Sequence, residues 1–164
     1  MLTPRGTPLK AITVQPLCDH PDLIGLVAQW FVAEWPGWYG PGGAGDIGQD
    51  LQGFSRSAQA LPVGLVVFED GVPVGAGALK AESLPTHTHL SPWAAAGYVL
   101  PACRGRGIGA ELLRALVAKA AELGYGHVYC GTGTAESLLS RSGWTAIELI
   151  SHDGKPLTIF QVAV

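Results

Sequence analysis

The sequence predicts an α/β single domain, and three observations carry that prediction. Strand-like and helix-like periodicities interleave along one chain of 164 residues in the order β-α-α-β-β-β-α-β-α-β-β. Asp70-Gly71 and Asp153-Gly154 each lie between two strand-like runs, the sequence signature of a tight hairpin. A glycine run, Arg104-Gly105-Arg106-Gly107-Ile108-Gly109, stands where a strand passes into a helix. With 48% hydrophobic and 14% charged residues the chain can bury one substantial core. No internal repeat, low-complexity block or linker interrupts it. Residues 1–10, rich in Pro and Gly, are expected to be a flexible segment, and 11–164 to form the domain.

Ala11 to Gln15 alternates as a strand does. Asp19 is placed to cap the next element, a helix with Pro21 near its first turn. Leu23, Leu26, Val27, Trp30 and Phe31 recur in it at helical spacing until Pro36-Gly37. From Glu34 to Gly48 the glycines and prolines predict a loop anchored by Trp35, Trp38 and Tyr39. Ile47, Leu51, Phe54 and Ala58 mark a second helix, with Asp46 as its cap. Val63 to Phe68 and Val72 to Leu79 form the first hairpin. A polar connector carrying His87 and His89, expected at the surface, leads to the strand Trp93 to Leu100. After the glycine run, Leu112, Leu113, Leu116, Val117, Ala120 and Leu123 give an amphipathic helix from Ala110 to Gly124. A strand from His127 to Gly131, a short helix from Ala135 to Arg141 and the hairpin Trp144–Ile150 with Leu157–Val164 complete the chain.

A formal net charge of −3 argues against a nucleic-acid binder, which needs an excess of lysine and arginine to meet phosphates. It favours a cationic substrate slightly. Cys18, Cys103 and Cys130 show no CxxC spacing, so neither a disulfide framework nor a thiolate zinc site is expected. No metal site is expected either, because His87-x-His89 lacks a third ligand. Nothing resembles a signal peptide or a membrane span, so a cytoplasmic protein without membrane contact is expected.

The glycine run carries the chemistry. A loop of alternating small residues that opens a helix points several backbone N–H groups one way, and the first-turn amides have no partner inside the helix. Phosphate oxygens suit them. Gly105, Gly107 and Gly109 permit close approach, and Arg104 and Arg106 add charge. The run fits the dinucleotide fingerprint formally, as Gly105-x-Gly107-x-x-Ala110. Pro101 to Arg104, however, separate the first glycine from the strand, and the chain after Ala110 is too short for the alternating units of a doubly wound domain. A P-loop fails because no Gly-Lys-Ser or Gly-Lys-Thr follows.

The stretch Val99-Leu100-Pro101-Ala102-Cys103-Arg104-Gly105-Arg106-Gly107-Ile108-Gly109-Ala110 closely resembles the acetyl-CoA motif of the GCN5-related N-acetyltransferase (GNAT) family. That motif is Gln or Arg, two residues, then Gly-x-Gly or Gly-x-Ala. With Pro92-Trp93 before it and Ser142-Gly143-Trp144 after it, the resemblance covers Pro62 to the C-terminus. It implies a GNAT-like fold, a mixed and mostly antiparallel central sheet flanked by helices, with acetyl-CoA as cosubstrate. Backbone groups near Tyr98 and Val99 would hold the pantetheine arm and polarise the thioester. The main-chain amides of Arg104, Gly105, Arg106, Gly107, Ile108, Gly109 and Ala110 would hold the pyrophosphate.

Two positions depart from the family pattern. A tyrosine that often protonates the leaving thiolate would stand four residues before Gly143, where this chain has Leu139. Thr132 replaces an asparagine that contacts coenzyme A in many members, though its hydroxyl retains hydrogen-bonding capacity. Candidate proton donors are therefore Ser137, Ser140, Tyr98 and Tyr129, or water. Candidate bases are Glu34, Asp46, Asp50, Glu82, His87 and His89. The resemblance implies acetyl transfer to a primary amine of a small-molecule or peptide acceptor, with a homodimer possible. The rival from another class is a non-catalytic acyl-CoA-binding or regulatory module, which Leu139 favours; a nucleotide oxidoreductase ranks behind both.

Overall fold

The computed structural model describes residues 11–164. The expected flexible segment 1–10 lies outside the described residues. Among the described residues, seven strands form one sheet: β1 (Ile12–Pro16), β2 (Val63–Glu69), β3 (Val72–Lys80), β4 (Trp93–Val99), β5 (His127–Thr132), β6 (Thr145–His152) and β7 (Lys155–Ala163). They run in the order β1-β2-β3-β4-β5-β7-β6. Every neighbouring pair is antiparallel except β4 and β5. The predicted mixed, mostly antiparallel sheet is present. Both hairpins close as their Asp-Gly pairs require. Asp70 and Gly71 have φ of 50° and 82°, and Asp153 and Gly154 have φ of 52° and 76°. Two successive left-handed residues match the twist of the flanking strands.

Five helices among the described residues flank the sheet: α1 (Ile24–Glu34), α2 (Pro36–Tyr39), α3 (Ile47–Phe54), α4 (Ile108–Glu122) and α5 (Glu136–Arg141). Asp46 caps α3 as expected, its Oδ1 accepting from the Gln49 amide at 3.0 Å. Asp19 does not cap α1. Two 3-10 turns, Leu17–Asp19 and Pro21–Leu23, intervene, and α1 opens at Leu23 without a side-chain cap. The aromatic loop also differs from expectation. Pro36, expected only to stop α1, opens a further helical turn, because a proline ring presets φ for the first helical position.

Strand alternation sends side chains to two faces. Val63, Leu65, Val67 and Val128 face α4 and α5, packing on Ile108, Leu112, Leu116 and Leu139. Val66, Phe68, Ala76, Ala78 and Tyr98 face α1 and α3, packing on Val27, Trp30, Phe31, Leu51 and Phe54. Fully burying each large apolar side chain contributes roughly 1.5–3 kcal/mol, so both helical layers are held by the sheet rather than by helix propensity. A third cluster joins Leu84, Trp93 and Ile159 beneath the β3–β4 connector.

That connector corrects another expectation. His87 is 8% exposed, in a 3-10 turn, with Nε2 2.9 Å from Glu148 Oε1 on β6 and Nδ1 2.7 Å from Thr86 Oγ1. It ties the connector to β6 instead of lying at the surface, and His89 stacks on it. Among the described residues no helix is long and apolar enough to cross a membrane, and no group of three or more His, Cys, Asp or Glu side chains is placed to hold a metal ion.

Candidate active site

The sheet opens at its one parallel pair. β4 and β5 meet only at Trp93 and Tyr129, where the Tyr129 amide donates to the Pro92 carbonyl at 3.0 Å. Beyond that bridge they separate toward their C-terminal ends. A β-bulge helps β4 turn away. The register against β3 slips between Ala76 and Ala78, so Ala76 opposes Tyr98 while Ala78 opposes Ala95. Ala96 within the extra residue's span has φ of 53°. An added residue in one strand bends and twists it locally. Nothing in the alternation of Ala94-Ala95-Ala96-Gly97 signals the bulge.

The bulge and the path of β4 beyond it determine which backbone groups face the gap. The Leu100 amide donates to the Val74 carbonyl at 2.8 Å. Antiparallel pairs alternate between bonded and non-bonded, so Val99, opposite Gly75, turns its N–H and C=O away from β3 and toward the opening. The carbonyl is already engaged by Arg104 Nε at 2.8 Å. The Val99 N–H points into the gap.

At the far end of the gap the chain passes through a 3-10 turn, Pro101–Cys103, into the glycine run. Gly105 and Gly107 have φ of 78° and 85°, and Gly107 caps α4 with no side-chain hydrogen bond. The first intrahelical bond runs from the Glu111 amide to the Gly107 carbonyl at 3.1 Å. The amides of Ile108, Gly109 and Ala110 therefore lack intrahelical partners and face outward at the positive end of the helix dipole. A Cβ built on Gly105 or Gly107 meets nothing within 4 Å, so the space before these amides is open. One on Gly109 would meet Leu138 Cδ2 at 3.2 Å, so this glycine lets α5 approach the first turn of α4. A diphosphate fits this cradle.

The two arginines do not lie over these amides. Arg104 folds back along β4, pairing with Glu34 Oε2 at 3.3 Å and covering the Tyr98 ring at 5.6 Å. Arg106 pairs with Glu69 Oε1 at 3.1 Å. Thr132 is buried, and its Oγ1 accepts from the amides of Thr134 and Ala135 at 3.1 and 2.9 Å. It organises the turn into α5 and keeps only its own proton to donate.

The candidate donors and bases scatter. Tyr98 is buried on the α1 face and stacked on Trp30 at 5.5 Å. Tyr129 packs against Trp93. Ser137 and Ser140 are exposed on α5. Leu139, at 1% exposure, belongs to the core beneath α4. Glu34 ends α1 beside Arg104. Asp50 accepts from the Tyr39 hydroxyl at 2.7 Å, and burial, followed by this bond and charge, pushes the Tyr39 phenol well above its ordinary value. Glu82 and His89 are exposed. The structure brings Tyr98, Val99, Arg104 and Glu34 together at the mouth of the gap; the two serines lie apart on the helix that covers the other face.

A sequence model described as the acetyltransferase (GNAT) family matches residues 26–140. No curated protein matches the chain in sequence. Solved structures match it closely in fold. One is yncA from Salmonella typhimurium with its cofactor acetyl-CoA, at 19% identity and a TM-score of 0.71 over 93% of this chain and 94% of that one. Another is an aminoglycoside 6'-N-acetyltransferase complexed with coenzyme A, at 12% identity and 0.74 over 92% and 96%. A third is the aminoglycoside 6'-N-acetyltransferase from Enterococcus faecium, at 13% identity and 0.70 over 93% and 96%. At these identities the likeness establishes the fold.

Proposed function

Because this chain belongs to the acetyltransferase (GNAT) family, we propose that it uses acetyl-CoA to acetylate a primary amine by direct attack of that amine on the thioester. The observation that carries this reading is the opening of the sheet after the Trp93–Tyr129 bridge, which leads to the unpartnered amides of α4. The amides of Ile108, Gly109 and Ala110 take the diphosphate. The Val99 N–H, facing the gap, is placed to stabilise charge that grows on the thioester oxygen as the amine attacks. The acceptor enters from the α1 face, beside Glu34 and the Arg104-covered ring of Tyr98.

Leu139 supplies no proton. A free thiol has a reference pKa of about 8.5, so the departing thiolate needs no strong acid and water suffices. Ser137 and Ser140, exposed on α5, are not required in this reading. Glu34 is already paired with Arg104 and is not assigned as base.

Leu139 favours a second reading, a non-catalytic acyl-CoA-binding module. Thioester turnover against a panel of amines, amino acids, polyamines and peptides with free N-termini tests the two. Coenzyme A release that depends on an added amine supports the enzyme. Tight acetyl-CoA binding with no acceptor-dependent release across the panel supports the module, and preferential binding of a nicotinamide dinucleotide would overturn both.

A further inference from the structure

The side chain of Arg104 lies where the missing β4–β5 ladder would continue. Val99 is the last residue of β4, and its C=O and N–H both face an opening that β5 has left. The Val99 N–H belongs to the preceding peptide, and the torsions at Val99 set its direction relative to the Val99 carbonyl, so a partner that restrains the carbonyl also restrains the N–H. Arg104 supplies the absent partner: its Nε donates to the Val99 carbonyl at 2.8 Å, a full charge-assisted hydrogen bond. On the same guanidinium, NH2 donates to Glu34 Oε2 at 3.3 Å. The guanidinium stands 5.6 Å from the centre of the Tyr98 ring, itself stacked on Trp30. The Val99–Leu100 peptide is thus held at both ends, its carbonyl by Arg104 and its N–H by Val74.

We propose that Arg104 is a positioning residue that acts through Val99, with Glu34 as its anchor on α1, and that its side chain is not a phosphate ligand. The proposal rests on the acetyl-CoA reading above. Within that reading Arg104 and Glu34 hold the Val99 N–H at the angle from which it meets the thioester oxygen. They also join the last residue of the acceptor-side helix α1 to the last residue of the cofactor-side strand β4. Lysine cannot replace this arrangement, because one ammonium has neither the fixed fork nor the planar face.

The test uses the full chain with acetyl-CoA carrying a 13C-labelled carbonyl, read by infrared difference spectroscopy, and calorimetric binding of coenzyme A. In the wild type the bound carbonyl band lies below that of free acetyl-CoA, the signature of a polarising hydrogen bond. In R104M and R104K the band moves back toward the free value, while coenzyme A affinity changes by less than about threefold. E34Q, at a carboxylate about one-third exposed whose replacement leaves the core untouched, moves the band the same way by a smaller amount. A phosphate ligand behaves oppositely: R104M weakens coenzyme A about tenfold or more, and E34Q tightens it by releasing the guanidinium. That pair of results, or an unmoved band in folded R104M, overturns the proposal. A wild-type chain that fails to bind acetyl-CoA, or binds it with no band shift, would overturn the acetyl-CoA reading itself.

Discussion

Replacing Gly107 with valine strikes the cradle while sparing the core. Gly107 has φ of 85° and caps α4, and no heavy atom lies within 4 Å of a Cβ built there. A valine is therefore not excluded by packing; it is strained by the backbone. Holding an L-residue in the left-handed region costs roughly 1–2 kcal/mol, and a β-branched residue sits at the upper end. For a chain of this length about 1 kcal/mol lowers the melting temperature by about 2–4 °C, so G107V should melt about 3–8 °C lower and remain folded at 25 °C. Binding suffers separately. Either the new methyl groups occupy the open space before the amides, or φ relaxes and the amides of Ile108, Gly109 and Ala110 no longer converge. Losing one hydrogen bond to a charged group costs about 1.5–3 kcal/mol, which is about 10- to 150-fold in acetyl-CoA affinity. Calorimetry with acetyl-CoA measures this, and G154V is the control. Gly154 has φ of 76° in the β6–β7 turn, also with nothing near its Cβ, so it carries similar strain away from the cradle. A folded G107V that binds as tightly as G154V would refute the placement of the diphosphate at α4.

The same geometry fixes three further outcomes. Leu139→Ala removes a buried side chain beneath α4 and should destabilise the fold by about 2–5 kcal/mol in urea unfolding, while turnover per folded molecule changes little; a specific loss of turnover would show that position 139 touches the reaction. Burial pushes the Cys130 thiol from 9.0 up to about 12, so above pH 9 the unfolded chain releases a proton that the folded chain keeps. Stability should then fall by up to about 1.4 kcal/mol per pH unit between pH 9 and 12, and C130A should flatten that alkaline limb in chemical denaturation. Asp46→Ala deletes the α3 cap and should cost about 0.5–2 kcal/mol, read as a lower melting temperature with acetyl-CoA affinity unchanged.

Much of the fold was legible because its signals are local. Asp-Gly pairs fix type I′ turns, Asp46 caps the helix after it, and apolar spacing marks α1, α3 and α4. What escaped the sequence depends on contacts between distant residues. Asp19 has the chemistry of a cap, but the chain spends two 3-10 turns before α1 begins. His87 looks like a surface residue until Glu148, sixty-one positions away, folds against it. The candidate site divides along the same line. Glycines in a strand-to-helix crossing announced open amides, because only glycine takes φ near 80° without strain at two places in three residues. The bulge at Ala96 has no such marker, since alanine neither prefers nor announces a left-handed conformation. Nor could spacing say that Arg104, the motif's own arginine, would turn from the glycines to Glu34.

A tyrosine acts at position 139 only if its hydroxyl lies beside the sulfur, yet here the residue is sealed in the core with Ile108, Leu112, Trp144 and Phe160. Leucine there contributes to the packing of α5 on the sheet, and the close approach of Leu138 to Gly109 locks α5 against the first turn of α4. The position thus supports the first turn of α4, where the proposed reading seats the diphosphate. In the proposed reaction, catalysis falls to groups that remain at the gap. The Val99 N–H can stabilise the developing oxyanion without any titrating side chain, and a thiolate of modest basicity can take its proton from water. If water protonates the thiolate, as proposed, the pH dependence of acetyl transfer is set on the acid limb by deprotonation of the acceptor amine. Its midpoint should therefore track the pKa of each amine in the panel. A midpoint fixed across amines of different basicity would instead reveal a protein group that titrates in the reaction.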